Sequence, residues 1–162
     1  SNYVNEALEL IKNKKEVLPK KVVFDVNIFK KGFGKKYIIF PAAFHKEDNF
    51  IYINTDAELF ENLNNKIIKM KIDKMWSTRE KSHFFIHEYS HYKWFNKNKD
   101  IYLKLEKENF TDKEQKLILD NLSSYAAENK IEFIAEVDTL IFFNYIIDKK
   151  IKDLYINIIK DF

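Results

Sequence analysis

The hydrophobic period of this chain changes from two to helical near residue 55, and that change limits the fold class more than any other feature. Residues 22–29 alternate, with Val22, Phe24, Val26 and Ile28 on one face, the period-two pattern of a strand. Gly32 and Gly34 then mark a turn. Tyr37–Phe44 and Phe50–Asn54 read as two further strands around a polar turn, His45–Asn49. Pro41 cannot donate to a ladder and places the first of these at a sheet edge. Ahead of the strands, Val4, Ala7, Leu8 and Ile11 have helical spacing, and Leu18-Pro19 closes that region. Beyond residue 55 the pattern is helical. Thr55 with Glu58 reads as a capping box before Leu59, Phe60, Leu63 and Ile67. Ser77 with Glu80 predicts a helix through about Phe95, and Thr111 with Glu114 another through about Leu122. A last helical stretch runs from about Asn129, with a break near Asp148. Helix, small sheet, then helices is an α+β order. We expect one domain over 1–162, with residues 1–96 giving the sheet and a central helix and 97–162 a helical part.

Composition supports a packed domain and excludes some functions. The chain has 162 residues, 46% apolar and 16% aromatic, too rich in core-forming side chains for disorder. Its formal charge is +3 with the two signs interleaved, which is a solvated surface and not the clustered basic face that nucleic acid requires. No apolar stretch approaches the roughly 18 residues needed to span a bilayer, and no signal peptide is visible. There is no cysteine, so a bound metal must be held by His, Asp or Glu.

His87-Glu88-Tyr89-Ser90-His91 is an H-E-x-x-H pattern. Residues four apart on a helix share a face, so His87 and His91 can offer imidazole nitrogens to one ion, and Glu88 lies beside them within reach of a water molecule. This is the arrangement of a zinc peptidase, with Glu88 as general base. His83 lies four residues earlier but about 12 Å along the axis from His91, so one ion cannot take all three histidines. We assign His83 to a support or surface role, and read His45 as an ordinary turn residue.

A catalytic zinc needs a third protein ligand and one open position. Glu128, Glu132 and Glu136 crowd the segment 124–136. Glu132 and Glu136 share a helix face, so one can bind metal while the other orients a ligand imidazole; Glu128 lies at or before the helix start.

H-E-x-x-H followed some forty residues later by a Glu on a second helix resembles the gluzincin zinc peptidases. The spacing Ser124-Tyr125, Asn129, Glu132-Phe133 and Ala135-Glu136 is similar to the catalytic domain of anthrax lethal factor and its relatives, among them small secreted proline-proline endopeptidases. The likeness is strong over 80–140 and fainter upstream. It implies a zincin-like metallopeptidase fold, one zinc per chain on His87, His91 and Glu132, Tyr125 assisting the transition state, and Glu136 supporting the site from behind. It further implies a secreted enzyme and a protein or peptide substrate extended along an edge strand near Tyr37–Phe44; the interleaved charge and short apolar stretches lead us to expect no nucleic-acid or membrane partner. Nothing resembles the large targeting domains of lethal factor, so a toxin role does not carry over. The alternative is a zincin-fold binding or regulatory module, including an intracellular regulator-cleaving metallopeptidase. Intact Glu88 favours an enzyme, because metal binding alone does not require it. Substrate identity, cleavage specificity and oligomeric state are not readable from the chain.

Overall fold

The computed structural model describes residues 2–162. It is a mixed α+β structure, mostly helical, with one three-stranded sheet. Helix α1 (Asn2–Asn13) buries Val4, Ala7 and Ile11, the stripe its spacing predicts. Strand β1 (Val22–Phe24) pairs parallel with β3 (Phe50–Ile53), and β2 (Ala42–His45) pairs antiparallel with the other side of β3. The order β1-β3-β2 leaves β2 at an edge.

Two of the expected strands are shorter than their patterns suggest. The strand expected over 22–29 stops at Phe24, because the Asp25 carboxylate accepts the Asn27 N–H at 2.9 Å and turns the chain into α2 (Asn27–Phe33). The strand expected over Tyr37–Phe44 begins only at Ala42, and residues Gly34–Ile39 form a 3₁₀ turn instead. Buried Asn54 explains the switch: its side-chain amide donates to the carbonyls of Tyr37 (2.8 Å) and Phe40 (3.0 Å), satisfying groups that a ladder would otherwise take. Gly34 supplies the left-handed φ of 59° that ends α2, where the sequence predicts a turn.

Two expected capping boxes are absent as well. Thr55 and Glu58 do not pair; a 3₁₀ turn Glu58–Asn62 leads into α3 (Leu63–Ile72). Helix α4 runs His83–Lys97 and starts six residues after Ser77, whose N–H and hydroxyl are both taken by Glu136. The Thr111–Glu114 box does form, at the start of α6 (Asp112–Asn121). Helix α5 (Lys99–Glu106), capped by the Asn98 side chain, has no counterpart in the expectations above. The last helical stretch is two helices, α7 (Lys130–Phe142), capped by Asn129, and α8 (Lys149–Ile159), capped by Asp148.

Helix α4 is buried on nearly all sides, because two apolar clusters meet on it. One cluster joins Ile51 and Ile53 of the sheet to α1, α3, Phe84, Phe85 and Ile86. The other joins Trp94 to α5, α6, α7 and α8 through Tyr102, Ile118, Phe133, Ile134 and Ile151. The H-E-x-x-H residues are therefore clamped between the sheet and α7.

Candidate metal centre

His87 and His91 sit one turn apart on α4 and point toward the first turn of α7. Asn129 caps that turn by accepting the Glu132 N–H at 2.9 Å, which fixes where Glu132 leaves the helix. Glu132 then spans the two rings, with one oxygen 2.8 Å from His87 Nε2 and the other 2.8 Å from His91 Nε2. The far nitrogen of each ring is also engaged. His87 Nδ1 lies 2.9 Å from Glu136, and His91 Nδ1 lies 3.0 Å from the Tyr102 hydroxyl. An Nδ1 that donates backward turns each Nε2 to Glu132, the ring atom that would meet an ion once its own proton is displaced.

Buried His and Glu side chains are placed to hold a metal ion, in two overlapping groups: His87, His91 and Glu132, and His83, His87 and Glu136. Their surroundings differ. Glu136 is fully buried and accepts four hydrogen bonds, from Ser77 N–H (2.9 Å), Ser123 Oγ (2.8 Å), His83 (2.7 Å) and His87 (2.9 Å). That fills the capacity of a carboxylate. Glu132 is partly open and lines a cleft together with His87, Glu88, Tyr125 and Glu128. Two imidazole nitrogens and one cleft-lining carboxylate, backed by hydrogen bonds, form a donor set that could hold a metal ion.

The electrostatics follow from this crowding. Burial opposes charge on the His87 ring, but Glu132 and Glu136 outweigh it and hold its pKa well above the usual value. Burial pushes the Glu132 carboxyl up, while His91 and His87 bring it well below the usual range. Glu136 is likewise raised by burial and brought down, more strongly, by His83 and then His87. Glu88 ends raised: burial dominates over the lowering influence of His91, His87 and the Phe44 N–H. Tyr125 is raised by burial and then by Glu128, Glu132 and Glu88.

Of the residues singled out in the sequence, His87, Glu88, His91, Tyr125, Glu132 and Glu136 are gathered around one locus. The Tyr125 ring stands edge-on to His87 with centroids 6.3 Å apart, and Glu88 accepts the Phe44 N–H of β2 at 2.9 Å. Glu128 follows the short 3₁₀ turn Tyr125–Ala127 on the cleft rim, outside both His–Glu groups. His83 is fully buried, which removes the surface half of its expected role. His45, expected in the turn, is instead the last residue of β2, paired with Phe50 and near Glu47 and Asp48. Sequence reasoning missed Tyr102, the partner of His91; its only signal was the weak Ile101, Tyr102, Leu105 periodicity of α5. It also missed Asp138 in α7, which accepts from Ser90 Oγ (2.7 Å), Trp94 Nε1 (2.6 Å) and the Tyr155 hydroxyl and so locks α4 to α7 and α8.

Comparison with protein-family models, curated proteins and solved structures finds no match for this chain.

Proposed function

We propose that this chain is a zinc-dependent endopeptidase of the zincin type, with His87, His91 and Glu132 holding the metal, Glu88 as general base and Tyr125 as transition-state donor. The observation that carries the reading is the convergence of two imidazole Nε2 atoms and one cleft-facing carboxylate beside Glu88. The resemblance to the lethal-factor type of gluzincin supports the same residues in the same roles.

Zinc held there supplies Lewis-acid polarisation of a carbonyl and makes water a competent nucleophile near neutral pH. Glu88 takes a proton from the attacking water and returns it to the leaving amine. Its raised pKa suits a group that must both accept and release that proton. Tyr125 keeps its hydroxyl proton, because burial and then the neighbouring carboxylates Glu128, Glu132 and Glu88 disfavour the phenolate. It can therefore donate to the oxygen that becomes negative. The Phe44 N–H meets Glu88 on the side of β2 away from β3, and Ala42, two residues earlier, shares that side. An extended peptide pairing with the rest of this edge would lie alongside Glu88, which already takes the Phe44 N–H.

Zinc titration of ligand variants tests the assignment. The native protein is expected to take one zinc per chain, and His87→Ala and Glu132→Ala to lose it, while Glu128→Ala retains it. Zinc that survives Glu132→Ala but not Glu128→Ala would sink the choice of third ligand.

A further inference from the structure

The buried group behind the cleft has a directed pattern of hydrogen bonds. Thr78 Oγ1 accepts the Glu80 N–H at 3.2 Å and lies 2.7 Å from His83 Nδ1, so its own proton is free to go to that nitrogen. His83 Nε2–H then donates to Glu136 Oε2 at 2.7 Å. The same oxygen accepts the His87 Nδ1–H at 2.9 Å. Donation in this sense is consistent along the whole line, Thr78 to His83 to Glu136 and His87 to Glu136, and it leaves His87 Nε2, 2.8 Å from Glu132, as the ring atom that an ion in the cleft would meet. The His83 ring is held in plane by Trp76, stacked on it at 4.7 Å between centroids and 6° between planes. Both His83 and Glu136 have 0% exposure, so no water can substitute for either partner.

We propose that His83 is a positioning residue for the metal centre, fixing through Glu136 the ring angle and tautomer with which His87 meets the ion. This rests on the zinc reading above and extends it to a residue outside the H-E-x-x-H pattern. It also gives the inner His83–His87–Glu136 group a job that needs no second ion. Glu136 reaches its full complement of four donors only with His83 present. Without that donor, Oε2 is held by His87 alone. The carboxylate can then rotate, and the imidazole it steers rotates with it.

The test is zinc affinity of the full chain by chelator competition, together with the visible spectrum of the cobalt-substituted protein. His83→Phe keeps an aromatic ring against Trp76 but has no donor; His83→Gln restores an amide N–H near the lost Nε2–H. The Phe variant is expected to bind zinc on the order of 10–100-fold more weakly than native, with an altered cobalt spectrum, and the Gln variant to recover most of the loss. Thr78→Val removes the proton that sets the His83 tautomer and should weaken binding in the same direction by less. If His83→Phe does not fold, the Thr78→Val and His83→Gln pair decides: native-like affinity for Thr78→Val overturns the proposal. So does a Phe variant within twofold of native, or Phe and Gln variants equally impaired, since that pattern means lost packing. Two zinc ions per native chain, falling to one in His83→Phe, would overturn it in favour of an inner metal site. A native chain that takes no zinc fails the metallopeptidase reading itself, a result distinguishable from all of these.

Discussion

Tyr125→Phe deletes one hydroxyl and leaves a ring that packs edge-on to His87. If that hydroxyl meets only the transition state, kcat should fall on the order of 10²–10³ while KM and bound zinc stay near native. Steady-state kinetics and metal content of this one variant check the point; an unchanged kcat removes Tyr125 from the mechanism. At this scale the spacing His87-x₃-His91 was legible because helical geometry alone puts the two rings on one face. The choice among Glu128, Glu132 and Glu136 was not legible from periodicity, since all three recur every four residues. In the structure the three differ: the Asn129 cap starts the helix after Glu128, four donors enclose Glu136, and Glu132 faces the cleft. The depth of His83 was equally hidden, because its burial depends on Trp76 and on Glu136, 53 positions away.

Among the elements, α4 is held in register with α7 and α8 by one carboxylate. Asp138 accepts from Ser90, Trp94 and Tyr155, all buried. Asp138→Ala strands three donors, and the cost should be about 3 kcal/mol or more in a denaturant-unfolding experiment. A loss under 1 kcal/mol would mean that the apolar clusters alone hold the helices. The same competition between local and distant partners explains which helix starts were readable. Thr111 is exposed and Glu114 half-buried, with no distant partner among the described residues drawing on either side chain, so their box forms as the sequence predicts. Ser77 is buried beside Glu136, whose carboxylate takes its N–H and whose backbone carbonyl takes its hydroxyl, and these distant acceptors outcompete a local cap. Strand lengths failed for a related reason. Asp25 and Asn54 offer side-chain hydrogen bonds that replace ladder bonds, and nothing in the alternating apolar pattern announces them. α5 is short, and its apolar face is set by the cluster around Phe133, so its own pattern was too weak to separate from a loop.

For the whole molecule, the crowded His–Glu centre makes stability depend on pH when no metal is bound. Burial raises Glu136, and His83 and His87 more than reverse this, so its folded pKa lies below the usual 4.5. The stability it contributes is present above that pH and is lost as pH falls through the folded value. Burial lowers His87, but Glu132 and Glu136 raise it well above the usual 6.5. Its contribution is complete below 6.5 and is lost as pH rises through the folded value. The melting temperature of the zinc-free protein should therefore be highest between about pH 4.5 and 6.5 and decline on both sides. Zinc takes the place of the His87 proton and should lift the alkaline limb most. A zinc-free melting curve flat from pH 5 to 9 would contradict this. The α+β order was legible from the change of period near residue 55, whereas the packing of two clusters on one central helix arises from contacts between distant segments. The most direct measurement is cleavage of a random peptide library by the zinc-loaded chain beside its Glu88→Gln variant. That variant keeps every metal ligand and removes only the base. The expected result is peptide-bond hydrolysis by the native protein, with equal zinc content but nearly no turnover in the variant. Equal turnover by both, or none by the native protein with zinc in place, would contradict the assignment of this site to metal-dependent proteolysis.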